Sequence, residues 1–140
     1  MSNSLVIIVC GHPDLSESHQ SALKFIENVY STQGSISYVF FYAEATIIAK
    51  APSHLDRNEN SVKSCQLSHH WKALSKKYKF PLIACISAAL KRGVIDDEGL
   101  ADEDQSTSLK ANLREGFQLE GFSFVTESIN HQQKIIEFCG

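Results

Sequence analysis

The stretch from Phe80 to Asp97 reads Phe-Pro-Leu-Ile-Ala-Cys-Ile-Ser-Ala-Ala-Leu-Lys-Arg-Gly-Val-Ile-Asp-Asp, and the rest of the chain falls into place around it. Pro81 lacks the N–H a sheet ladder needs, so it suits only the first residue of a strand. Leu82 to Ile86 then form an unbroken apolar run, the mark of a short strand buried on both faces. Ser87 is placed to cap a following turn, Ala88, Ala89 and Leu90 favour helix, Lys91 and Arg92 suit its last turn, and Gly93 ends it. Cys85 therefore falls where a strand gives way to a helix.

In open α/β sheets, ligands and chemistry gather outside the carboxyl ends of the strands. A thiol at that position is expected to be partly exposed. The positive end of the helix, with Lys91 and Arg92 folded back, would favour a nucleophilic thiolate. Spacing alone favours the plainer reading, in which Cys85 is a small apolar side chain of a core strand.

Outward from this segment, the pattern is α/β. Leu5 to Cys10 is a second Val/Ile-rich run, closed by Gly11 and Pro13, and reads as a central parallel strand. Asp14 with Glu17 resembles a helix-start box, Ala22, Leu23, Ile26, Val29 and Tyr30 follow at helical spacing, and Gln33-Gly34 ends that helix. Ile36 to Tyr42 is the next strand, completing a β-α-β unit whose crossover implies parallel pairing. Ala43 to Asn60 reads as a helical turn or two and then a loop near the site. Ser61 to Lys79 carries an apolar stripe of Leu67, Trp71, Leu74 and Tyr78 with lysines crowding its carboxyl end, and the helix stops before Pro81. Leu109 to Leu113 suits a helical turn, Phe117 to Leu119 a short strand, Ser123 to Asn130 a last helix and Lys134 to Phe138 a final strand. The expected fold is a single-domain, three-layer α/β/α arrangement over residues 1–140, with a mostly parallel sheet of about five strands.

Composition narrows the function. With 140 residues, 43% of them hydrophobic, the chain is long enough for one continuous core. A formal charge of −3 gives no bulk attraction to a phosphate backbone or an anionic membrane, so neither direct nucleic-acid binding nor a membrane role is expected. No apolar run approaches the length of a membrane span, and the opening Met-Ser-Asn-Ser has no basic leader, which fits a cytoplasmic protein.

Cys10, Cys65, Cys85 and Cys139 form no Cys-x-x-Cys pair, and the default for such a domain is free thiols in a reducing compartment. Their spacing leaves a disulfide between distant cysteines open. Cys10 reads as core packing, Cys65 as incidental in a helix, and Cys139 as a thiol near a fraying terminus. Cys65 with His69 has the spacing of two metal ligands on one helical face, but no second cluster completes a set, so no metal is expected. Nor is any cofactor: Gly11-His12-Pro13 lacks both the dinucleotide fingerprint and the Walker pattern. His12 lies in the loop after the first strand, where exposure is a better reading than a proton-transfer role at Cys85. The acidic run from Ile95 to Ser108 does not match a calcium loop and reads as solvated, with docking of a basic partner as its possible use.

The segment Cys85-Ile-Ser-Ala-Ala-Leu-Lys-Arg-Gly-Val-Ile-Asp resembles the active-cysteine segment of the DsrE/DsrF-like sulfurtransferases, most closely the TusD-type members. The likeness runs from about Val6 to Phe138 and recurs at Val39-Phe40-Phe41-Tyr42, Trp71, Gly116-Phe117 and Gly121. The loop Gly11-His12-Pro13-Asp14 differs from the glycine-rich loop typical of the family. The resemblance implies that Cys85 is the catalytic residue. It would accept a persulfide sulfur from a donor protein and pass it to an acceptor thiol in tRNA wobble-uridine 2-thiolation. It also implies a hetero-oligomer with TusB-like and TusC-like subunits. A sulfur-oxidation carrier of the same family, or a non-catalytic scaffold subunit with a buried Cys85, are the alternatives.

Overall fold

The computed structural model describes residues 4–51, 62–94 and 112–139. Five strands form one sheet: β1 (Ser4–Val9), β2 (Ser35–Phe41), β3 (Leu82–Cys85), β4 (Phe117–Glu120) and β5 (Lys134–Phe138). Every pairing is parallel, and the order across the sheet is β4-β3-β2-β1-β5. The chain thus steps outward from β1 to β4 and returns to the far side of β1 for β5. Strand β3, and β1 from Leu5 onward, are apolar throughout because both faces are covered, as parallel sheets require.

The helices are α1 (Ser18–Ser31), α2 (Val62–Tyr78), α3 (Ile86–Lys91) and α4 (Ser123–Asn130), with a 3₁₀ turn at Ala43–Ala49. On one face, Ile7, Val9, Val39, Phe41, Leu82 and Ala84 pack with α1, α2 and the 3₁₀ turn. Trp71 is wholly buried there, its ring perpendicular to Phe41 at 5.0 Å, so it is a core residue as its place in the stripe predicts. On the other face, Val6, Ile8, Tyr38, Phe40, Ile83 and Cys85 pack beneath Val125 of α4. The Tyr38 hydroxyl and Ser128 Oγ, 2.5 Å apart, tie α4 to β2. These are the three expected layers, with a sheet that is wholly parallel.

Helix ends differ from expectation in two places. The Asp14/Glu17 box does not form: α1 starts at Ser18 with Glu17 as N-cap and no side-chain cap, while the Asp14 carboxylate accepts from Ser64 Oγ at 2.8 Å. At the other end of α1 the left-handed residue is Gln33 (φ 67°), with Gln33 N–H bonded to Tyr30 O and Gly34 N–H to Val29 O. Gly34 serves close approach instead, since a Cβ there would meet Val29 Cγ1 at 2.7 Å. Gly93 behaves as expected: at φ 82° its N–H bonds Leu90 O while Val94 N–H bonds Ala89 O, a Schellman ending for α3.

The apolar run ends one residue early as a strand. Ile86 already belongs to α3, and Cys85 itself, rather than Ser87, is the N-cap. The Ala43 to Asn60 reading holds for the 3₁₀ turn, and its remainder from Pro52 lies outside the described residues, as does the acidic run from Ile95 to Ser108. Of the turn expected over Leu109 to Leu113, only Asn112 and Leu113 are described, and Leu113 forms an antiparallel bridge to Lys50.

Candidate functional site

Parallel pairing places every strand's carboxyl end on one edge of the sheet. Val9 pairs with Phe41 and with Phe138, and Phe41 pairs with Ala84, so these four residues form one row across the sheet. The next row, at the carboxyl edge, is Cys139, Cys10, Tyr42 and Cys85, with Glu120 paired to Cys85 from β4. Three of the four cysteines therefore end strands at the same level.

Cys85 is 1% exposed, which corrects the expectation of a partly exposed thiol. Its side chain points to the face covered by α4, among Ile83, Ala88 and Val125, because the strand alternation puts Ala84 on the other face. Sγ lies 3.5 Å from Ser87 Oγ, and Ser87 is itself exposed, so on that side the sulfur sits next to a surface residue. Arg92 folds back only as far as Ala88, donating from Nη1 to its carbonyl at 3.0 Å, and does not bond the thiol.

Around this edge stand large apolar side chains that are not covered. Ile86 is 38% exposed, Tyr42 42%, Phe122 46% and Leu90 50%. Tyr42 and Phe122 hold their rings 5.4 Å apart, and Phe122 also meets Phe40 edge-on. Phe122, two residues past the end of β4, is the N-cap of α4, so its place at this edge could have been read from the strand-to-helix pattern, though no motif marks it. Exposed apolar groups clustered beside a thiol provide a surface on which another protein can seat.

Cys10 and Cys139 form a disulfide, which corrects the default of four free thiols; Cys65 and Cys85 remain free. The cause is topological. β5 lies beside β1, and Cys10 N–H bonds Phe138 O at 3.0 Å, so the residues following two adjacent strands face one another with Cα atoms 4.7 Å apart. Two clefts open at this end of the edge, one of about 320 Å³ lined by Glu17, Ser18, Ser21 and Cys139, the other of about 290 Å³ lined by Cys10, His12, Leu15 and Glu44. Cys85 lines neither.

His12 is half-buried beside Cys10 rather than Cys85, and its Nδ1 accepts the Asp14 N–H at 3.0 Å. The Cys65/His69 pair gathers no third ligand among the described residues, and His70 pairs with Glu27 at 3.1 Å. Cys10, Glu137 and Cys139 do bring three potential metal-ligand atoms within 4.8 Å of one another, with both sulfurs engaged in the disulfide. His19 has no sequence signal and proves to be central to the fold. Wholly buried, it donates from Nε2 to Gly11 O at 2.9 Å and accepts Trp71 Nε1–H at Nδ1, 3.1 Å away. Burial lowers its pKa to about 4.

These elements make a five-stranded parallel α/β protein whose third strand ends in a cysteine at the head of a short helix. The chain belongs to the DsrE/DsrF-like family, whose model matches residues 3–138. It is 32% identical over 132 residues to the sulfurtransferase TusD of Buchnera aphidicola subsp. Acyrthosiphon pisum (strain APS), covering 94% of this chain and 97% of that one. The TusD of Pectobacterium atrosepticum is 28% identical over 138 residues, with 96% and 98% covered. The crystal structure of the ychN protein from E. coli superposes with a TM-score of 0.63 at 16% identity, over 99% of this chain and all of that one, which speaks for the fold. No helix among the described residues is long and apolar enough to cross a membrane.

Proposed function

We propose that Cys85 is the sulfur-carrying residue of this sulfurtransferase, in one catalytic domain spanning residues 1–140. The observation that carries the reading is the placement of Cys85 at the carboxyl end of β3, heading α3, on the sheet edge that also carries the exposed side chains of Ile86, Tyr42 and Phe122. The Cys85 thiolate attacks the outer sulfur of a donor protein's cysteine persulfide, and the donor leaves as a thiolate. The acceptor's thiolate then attacks the outer sulfur held on Cys85, which departs as a thiolate in turn. Burial guards the persulfide between the two transfers, and docking on the Tyr42/Phe122/Ile86 rim supplies the force to open the cover beside Ser87.

As the family resemblance implies, the pathway served is tRNA wobble-uridine 2-thiolation. The partners are a donor protein, an acceptor protein and TusB-like and TusC-like subunits, and the setting is the cytoplasm. The burial of Cys85 favours one other reading, a scaffold subunit whose thiol never reacts. Incubating the Cys85→Ser protein with a donor carrying radiolabelled persulfide separates them. Loss of label transfer supports the carrier, and transfer at the wild-type rate refutes it.

A further inference from the structure

The disulfide at the other end of the cysteine row has no part in the relay just described, and the fold places it with care. Strand order reverses between β1 and β5, and in open parallel sheets the crevice at such a reversal is where ligands bind. Cys10 and Cys139 close β1 and β5 at that point, and each lines an open cleft. Cys139 is exposed and Cys10 half-buried, so Cys139 is the more open residue of the bonded pair. Backbone pairing of Cys10 N–H with Phe138 O holds the two together whether or not the sulfurs are joined. In the reducing compartment proposed above, a disulfide is normally one that forms and is reduced in turn.

We propose that Cys10 and Cys139 are a second thiol site, which in its reduced form breaks down persulfides to sulfide. The Cys139 thiolate attacks the outer sulfur of a persulfide, forming a new S–S bond while the former carrier leaves as a thiolate. Cys10 thiolate then attacks Cys139 Sγ, forming the disulfide of the structure and expelling the outer sulfur as hydrosulfide. One persulfide and two thiols become one thiol, one hydrogen sulfide and one disulfide. The outer sulfur is reduced and the cysteine pair is oxidised by two electrons. A small dithiol reductant returns the pair to its starting state. The site works independently of Cys85, which lies two strand spacings, about 10 Å, along the edge from Cys10.

The test uses the Cys85→Ser protein, so that failure of the carrier reading leaves it intact. The protein is reduced with dithiothreitol, freed of it, and mixed with glutathione persulfide without oxygen. Released sulfide is measured, and cysteine states are mapped by alkylation. One sulfide per Cys10–Cys139 disulfide is expected, with sulfide yield at least tenfold lower once Cys139→Ser is added. Cys139 is exposed and lies beyond the last strand, so this change leaves sheet pairing in place. Replacing Cys10→Ser should instead trap a persulfide on Cys139. Sulfide release that leaves Cys10 and Cys139 as free thiols, or that is unchanged by Cys139→Ser, overturns the proposal.

Discussion

Trp71 and His19, 52 residues apart, share one hydrogen bond in the core, the indole N–H donating to Nδ1 at 3.1 Å. Because Nδ1 accepts, the ring proton sits on Nε2 and is spent on Gly11 O, so the imidazole is locked in its neutral form between α2 and the loop after β1. A second proton, on Nδ1, would face the Trp71 N–H donor instead of an acceptor. The pKa of His19 accordingly falls from 6.5 to about 4, with burial the dominant cause and the Gly11 hydrogen bond opposing it.

Stability should therefore depend on acid in a defined window. Between the folded and unfolded pKa values, about 4 and 6.5, the unfolded chain binds the proton and the folded one does not, so stability falls as pH drops through that range. The loss is about 3 kcal/mol across the window, at about 1.4 kcal/mol per pH unit. Urea unfolding at pH 7.5 and pH 4.5 measures it. His19→Gln should lower stability at pH 7.5 and remove most of the pH dependence; an unchanged slope would show that His19 is not its source.

Gln33 occupies a left-handed conformation at the end of α1, which suits glycine. Gln33→Gly should stabilise the protein by about 0.5–1 kcal/mol, read as a higher urea midpoint with an unchanged slope. A fall in midpoint would mean that the Gln33 side chain contributes something its geometry does not suggest.

Reducing the Cys10–Cys139 bond frees a closure of sequence separation 129. A loss of about 2–4 kcal/mol is expected on adding a reductant, and the same loss should appear in Cys139→Ser under oxidising conditions. Identical unfolding curves with and without reductant would contradict this.

Cys85 is buried while Cys65 is partly open. In the isolated native protein, iodoacetamide should label Cys65 at least about tenfold faster than Cys85, the ratio that an opening cost near 1.4 kcal/mol imposes. A persulfidated donor should reverse that ranking by docking at the rim; if Cys85 stays inert with donor present, the scaffold reading is the right one.

Local chemistry made much of this molecule readable in advance. The run after Pro81, the helix stop at Gly93 and the stripe through Trp71 each depend on neighbours within a few residues, and each appears in the structure at or within a residue of its expected place. Features that depend on strand order were not readable. Nothing in the spacing of Cys10 and Cys139 says that β5 returns beside β1, and nothing near His19 names Trp71 as its partner. The shielding of Cys85 has the same origin, since α4 comes from about forty residues further along the chain to cover its face of the sheet.

The most direct measurement is the intact mass of the protein after incubation with a cysteine desulfurase, cysteine and the donor protein, followed by peptide mapping. A gain of about 32 Da, one sulfur atom, confined to the peptide carrying Cys85 and abolished by Cys85→Ser, is the predicted result. The same gain in the Cys85→Ser protein, or a wild-type chain that gains sulfur only elsewhere, would contradict the account.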